Sequence, residues 1–269
     1  MKIFLYQDET ISKLWNDRFI FWLKEYNLNY QLTSNPLLEE VNYGDFFIGR
    51  FNEKKLWIKE VYSQIDEKFS RRVWPEKILV DYYDDKFSQI RLFKDNWPIP
   101  KSCIAFDKDD IDQPFPLVCK KSNGSSSKNV KLVYDSNVEF PCILQEYIPS
   151  DKDLRLICID EKVMGFERLA KPGDFRASGS GIIHKLDKLP MECVNLAREI
   201  SKTHKFSCMC YDFIHNDKWY LLEMSYTFNP DAATKYCDFY IDDRDQIVYG
   251  KIIPQDLVWD WIFRRIKAL

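Results

Sequence analysis

The chain reads as an α/β protein whose later part opens into α+β lobes, and three observations predict this. A strand-helix-strand alternation starts the chain, a run of short antiparallel strands fills its middle, and helical stretches recur near 190–203 and 255–266. Its 269 residues are 45% hydrophobic and 16% aromatic, enough to bury a core in one large domain or two to three subdomains.

Residues 2–6 (KIFLY) predict a buried strand. Between Ile11 and Tyr26 the apolar residues fall at helical spacing, with Trp15, Phe19, Trp22 and Leu23 on one side, a stripe that suits a core. Strands at Tyr30 to Thr33 and Asp45 to Phe51 follow, and such alternation favours a parallel sheet. The pattern pauses near Trp74-Pro75. A helix from Tyr83 to Phe93 then ends at the W-P-I-P segment, where proline cannot continue it, so a subdomain boundary falls between 70 and 84.

Next, strands at Pro116 to Lys121 and Val130 to Tyr134 flank the polar loop SNGSSSKN and read as a hairpin. Strands at Cys142 to Tyr147, Leu154 to Ile159 and Lys162 to Arg168 continue in antiparallel fashion to the loop KPGDFRASGSG at 171–181. A helix at Pro190 to Thr203 leads to strands Met209 to Ile214 and Trp219 to Met224, joined by HNDK. Gln255 to Ile266 closes the chain as an amphipathic helix.

With 39 Lys+Arg against 42 Asp+Glu the net charge is -3, which argues against nucleic acid or an anionic membrane as the main partner. Apolar runs stay short of the ~18 residues that span a bilayer, and MKIFLYQDET turns acidic too soon for a signal peptide, so a cytoplasmic protein is expected. The eight cysteines sit mostly inside apolar runs and read as free thiols; no zinc site is expected, since His184, His204 and His215 lack ligand spacing. The aromatic content suits either a core or an interface, which leaves a homo-oligomer open.

Three constellations carry chemistry. Lys120-Lys121 before Ser122-Asn123-Gly124-Ser125-Ser126-Ser127-Lys128 would cradle a polyphosphate with backbone N–H groups and ammonium charge, or would simply form a solvated hairpin loop. Asp212 and Glu223, on consecutive strands in apolar surroundings, would face each other and need either a hard cation such as Mg²⁺ or a neighbouring Lys or Arg. Arg155, Arg168, Lys171 and Arg176 gather near a Gly/Ser loop that would order over an anion, although each alone suits a surface ion pair.

The order FPLVCKKSNGSSSKNVKLV, ILQEYI, D-L-R-L, ER with DFRASGSG, and YDFIHNDKWYLLEMS resembles the ATP-grasp superfamily, particularly its carboxylate-amine ligases, over Asp84 to Asn229. The resemblance implies an ATP-grasp fold: an N-terminal α/β subdomain over 1–83, an ATP-binding small lobe over 84–150, and a C-terminal lobe over 151–269 with the metal and substrate site. It implies ATP and Mg²⁺ as cofactors, and small-molecule carboxylate and amine substrates. Lys86 and Lys120 match lysines that contact phosphate, Gly124 to Ser127 the loop closing over the triphosphate, and Tyr147 and Ile148 the hinge that reads adenine. Asp153 matches the acid near the ribose, a role Glu146 or Asp151 would share. Asp212 and Glu223 match the metal carboxylates, Arg168 the arginine that braces the transferring phosphoryl group, and Arg176 with Ser178 the acceptor site, to which Arg155 is added.

The metal motif departs from the family. Where relatives read E-x-N, this chain has Glu223-Met224-Ser225, and Ser225 or Asn229 would have to complete the site; Ser178 likewise stands where relatives often carry Asn. The implied reaction is amide formation through an acyl phosphate. An ATP-grasp kinase and a nucleotide-binding protein without turnover are the competing readings.

Overall fold

The computed structural model describes residues 1–8, 11–38, 40–50, 58–82, 85–122 and 129–268. Strand β1 (Ile3–Tyr6) is buried at all four positions. Its two faces pack differently: Ile3 and Leu5 meet Trp15, Phe19 and Leu23 of helix α1 (Ile11–Glu25), while Phe4 and Tyr6 meet the layer that includes Ile58, Tyr62 and Ile65 of a second helix. With β2 (Tyr30–Thr33), β3 (Phe46–Ile48), α2 (Ile58–Lys68) and β4 (Val73–Trp74), it forms a sheet of order β2-β1-β3-β4 in which every pairing is parallel. Burial on both faces is why β1 reads as an unbroken apolar run. The strand expected over 45–51 is shorter; residues 51–57 lie outside the described residues.

Helices α3 (Lys77–Tyr82) and α4 (Lys86–Phe93) follow. The helix expected from Tyr83 starts at Lys86, because Asp85 caps it by accepting from the Ser88 N–H at 3.1 Å. Strands β5 (Ser102–Ala105), β6 (Leu117–Lys120), β7 (Val130–Val133) and β8 (Cys142–Glu146) make an antiparallel sheet of order β5-β8-β6-β7. The expected hairpin forms, with Lys120 opposite Val130 and Leu117 opposite Val133.

The remaining strands are β9 (Lys152–Ile159), β10 (Lys162–Leu169), β11 (Ile182–His184) and, after helix α5 (Met191–His204), β12 (Cys208–His215) and β13 (Trp219–Ser225). Helix α6 (Pro230–Tyr236), strands β14 (Phe239–Ile241) and β15 (Ile247–Tyr249), and helix α7 (Pro254–Lys267) complete the chain. The sheet order is β13-β12-β9-β10-β14-β15, with β11 also on β10. Asp256 of α7 binds Arg18 of α1 through two hydrogen bonds of 2.5 and 2.7 Å and accepts from the Trp22 indole at 2.7 Å, tying the last helix to the first.

Alternation along β9 explains where a site forms. Leu154, Leu156 and Cys158 turn to α5 and its Val194, Ala197 and Ile200, a uniformly apolar layer. The other face is divided: Ile157 and Ile159 pack on Trp15, Phe19 and Trp259, while Asp153 and Arg155 stand at the end left uncovered by that core.

One irregularity sits on β13. Trp219 pairs with His215 and Leu221 with Phe213, but Asp212 pairs with Glu223, leaving Leu222 as the extra residue of a β-bulge. A regular ladder would set Leu222 opposite Asp212 and turn Glu223 into the core; the bulge keeps both Leu222 and Glu223 on the cavity side. All eight cysteines are unpaired thiols and six are buried. Among the described residues, no helix is long and apolar enough to cross a membrane.

Candidate active site

A cavity of about 730 Å³, counted to its open mouth, lies between the four-stranded β5–β8 sheet and the charged end of the large sheet. Val118, Lys120 and Gln145 to Ile148 form one wall; Asp153, Asp212, Leu222 and Glu223 form the other. Phe175 to Ser178, from the loop after β10, close a side, and Tyr147 meets Phe175 edge to face at 6.0 Å.

Lys86 is buried at the start of α4, with Nζ 3.1 Å from Glu223 Oε1. Lys120 ends β6, and its Nζ donates to Gln145 Oε1 at 2.7 Å. Burial pushes the Lys120 ammonium down to about 8; Lys86 adds to the shift, while Glu223 and Asp212 oppose it.

Arg155, opposite Asp212 in the β9–β12 ladder, donates from Nε and Nη2 to the two Asp212 oxygens, each at 2.7 Å. Arg168 reaches Asp212 Oδ2 from Nη2 at 2.9 Å and also holds Asp153, opposite it on β9, at 2.6 and 2.7 Å. Two arginines and two aspartates thus form a neutral, mostly buried network, which answers the desolvation cost of each charge. Burial works against ionised Asp212, yet Arg155 and Arg168 hold its carboxyl well below the usual range.

The expected basic cluster therefore divides. Arg155 and Arg168 are committed to aspartates inside the sheet, Lys171 is exposed, and Arg176 folds onto Asp174 at 2.9 Å while donating to the Val130 carbonyl at 3.4 Å. That hydrogen bonding with Arg176 brings the Asp174 carboxyl down to about 2. Of the three acids considered for a ribose role, Asp153 has both oxygens taken by Arg168, the Glu146 carboxylate accepts from the Lys101 N–H at 3.3 Å, and Asp151 is exposed. Ser178 lines the cavity. Gly124 to Ser127 lie outside the described residues.

Asp212, Glu223 and Ser225 occupy one face of the β12–β13 hairpin. Among the described residues no cluster of three or more His, Cys, Asp or Glu side chains could hold a metal. The pair nonetheless offers oxygen donors alone, the chemistry a hard cation takes, with Glu223 open to the cavity. Ser225 donates to the Thr227 carbonyl at 3.1 Å, and Asn229 is used as the cap of α6, accepting from Asp231 N–H at 2.9 Å. Sequence reasoning missed the amide partner of Lys120; a buried Gln145 amid the apolar run CILQE was the available signal.

A sequence profile of the RimK-like ATP-grasp domain matches residues 83–247, and the chain belongs to this family. Solved structures with the same overall fold include a RiPP-associated ATP-grasp ligase from Chryseobacterium gregarium in complex with ADP and a leader and core peptide (TM-score 0.68, 12% identity, 98% of this chain and 97% of that one). The macrocyclase MdnC from Microcystis aeruginosa, bound with the precursor peptide MdnA, is also similar (TM-score 0.66, 12% identity, 98% and 100%). So is D-alanine–D-alanine ligase from Bacillus anthracis (TM-score 0.60, 14% identity, 99% and 98%). No curated protein sequence matches the chain.

Proposed function

We propose that this chain is an ATP- and Mg²⁺-dependent ligase that joins a carboxylate to an amine through an acyl phosphate, releasing ADP and phosphate. The observation that carries the reading is the meeting of opposite walls in one cavity: Lys120 stands across from the facing carboxylates Asp212 and Glu223, and Lys86 pairs with Glu223 beside them. Cations on one side suit the nucleotide phosphates, and the acids on the other suit a divalent ion.

In this reading Lys86 and Lys120 bind phosphate oxygens, and the backbone of Tyr147 and Ile148 reads the adenine edge. Mg²⁺, held by Asp212 and Glu223 with Ser225 beside them, supplies charge neutralisation on the phosphates. The substrate carboxylate oxygen attacks the γ-phosphorus, the bond to the β-phosphate oxygen breaks, and ADP leaves. Arg168 stabilises charge on the phosphoryl group, for which it must share its contact with Asp153 and Asp212. The amine then attacks the acyl carbon, loses a proton, and expels phosphate. Arg176 and Ser178 hold the acceptor, and Phe175 shields the acyl phosphate from water.

The carboxylate is proposed to be carried on a peptide, because two of the similar structures hold peptides and the Arg176 side of the cavity is open and partly exposed. The test is Mg²⁺-dependent ADP release with pools of small carboxylates and of acidic peptides, with hydroxylamine as trap. Hydroxamate on a peptide supports the full reading, and hydroxamate on a free acid restricts it to small substrates. ADP release with a phosphorylated acceptor would identify a kinase, and bound ATP with no turnover a nucleotide-binding protein.

A further inference from the structure

Strand β13 is the outer strand of the large sheet, and among the described residues no strand pairs with its outward backbone groups. The bulge at Leu222 interrupts its inner ladder one residue before the Glu223-Met224-Ser225 segment. Beyond the bulge Glu223, Met224 and Ser225 pair with Asp212, Tyr211 and Cys210 on the inner side alone, so their outer side depends on contacts from elsewhere in the fold.

Gln89 of α4 supplies such a contact. Its Oε1 accepts from the Met224 N–H at 3.1 Å, and its Nε2 donates to the Met224 carbonyl at 3.0 Å. The same Nε2 donates to the Tyr82 carbonyl at 2.9 Å, so the primary amide uses both of its hydrogens. Gln89 is 2% exposed, and the contact crosses 135 residues of sequence. One side-chain amide thus does at Met224 what an adjacent strand would do. Three residues earlier on α4, Lys86 pairs with Glu223.

We infer that Gln89 is a positioning residue: by bridging both backbone groups of Met224, it fixes the direction in which Glu223 and Ser225 on either side present their oxygens to a divalent cation. This rests on the Mg²⁺ reading above. The geometry suits a primary amide, whose separate oxygen and NH₂ accept from and donate to one residue's backbone at once.

The test measures ADP affinity of the full chain by calorimetry, in EDTA and across a Mg²⁺ titration, for wild type, Gln89→Leu and Gln89→Glu. Gln89→Leu is expected to raise the Mg²⁺ half-saturation at least tenfold while ADP affinity in EDTA stays within about twofold. Gln89→Glu keeps an acceptor but has no N–H for the Met224 carbonyl, and is expected to show a similar or smaller rise. Wild-type Mg²⁺ dependence in a folded variant would overturn the inference. Hydrogen exchange at the Met224 amide of the unliganded wild type tests the bridge without any variant: protection is expected, and free exchange overturns the inference. If wild-type ADP binding gains nothing from Mg²⁺, the metal reading fails, while the exchange result still reports on the bridge.

Discussion

Arg155 holds Asp212 edge to edge across the β9–β12 ladder, one nitrogen to each carboxylate oxygen at 2.7 Å. Asp212 lines the cavity and the pair is mostly buried, so it governs stability as well as the site.

Replacing Arg155 with Met leaves a buried carboxylate held by Arg168 alone. The expected loss is about 3 kcal/mol, read from urea denaturation. Adding Asp212→Leu should recover much of it, since an apolar pair no longer carries an unpaired charge. A loss under about 1 kcal/mol in Arg155→Met would show that Arg168 suffices.

Glu76 gives a pH dependence of a different sign. Burial pushes its carboxyl up to about 7, despite a hydrogen bond from the Ser207 hydroxyl at 2.5 Å. Between the unfolded value near 4.5 and about 7 the folded state holds the extra proton, so stability falls as pH rises through that window and levels above it. Glu76→Gln should remove this slope and exceed wild type at pH 8 by about 1–2 kcal/mol, measured by denaturant melts at pH 5 and 8. Asp212 acts oppositely: its carboxyl is held low, so its contribution is present above the ordinary carboxylate range and is lost as pH falls below it.

Lys120 sits near 8 before any nucleotide binds. ATP affinity should therefore weaken as pH rises past 8, where a growing share of the protein must take up a proton to pair with phosphate. Lys120→Met should bind ATP weakly at all pH values and lack that limb, which fluorescence titration at pH 7 and 9 would reveal. An unchanged limb in Lys120→Met would assign it elsewhere.

Arg168→Lys keeps the charge but loses the planar fork that spans Asp153 and Asp212. Turnover should fall about 100-fold with ATP KM changed far less, because misplacing a charge by about 1 Å costs that much. Equal losses in kcat and ATP affinity would make Arg168 a nucleotide-binding group.

The sequence carried the parallel N-terminal layer in its unbroken KIFLY run, and the β6–β7 hairpin in its polar loop between apolar strands. It also carried α2, whose Ile58, Val61, Tyr62 and Ile65 keep helical spacing. Strands β14 and β15 have three residues each, too few for period-2 alternation to rise above chance. The facing of Asp212 and Glu223 was readable from their hairpin, but its cause was not, since nothing local marks Leu222 as a bulge. The partners of Asp212 were hidden for another reason: Arg155 lies 57 positions away, and only the strand order brings it adjacent.

The unpaired Leu222 has a consequence for insertions and deletions. Because Leu221 and Leu222 are identical neighbours, removing either gives the same shortened chain, whereas removing another residue between Phe213 and Glu223 changes the turn or shifts the ladder. Removing Leu222 closes the bulge and leaves Glu223 opposite Asp212, with Leu221 still opposite Phe213. The hairpin thus tolerates the loss of one leucine of this pair without a change of register, and a homologue shorter there by one residue would differ from this chain only in the apolar group beside its carboxylate.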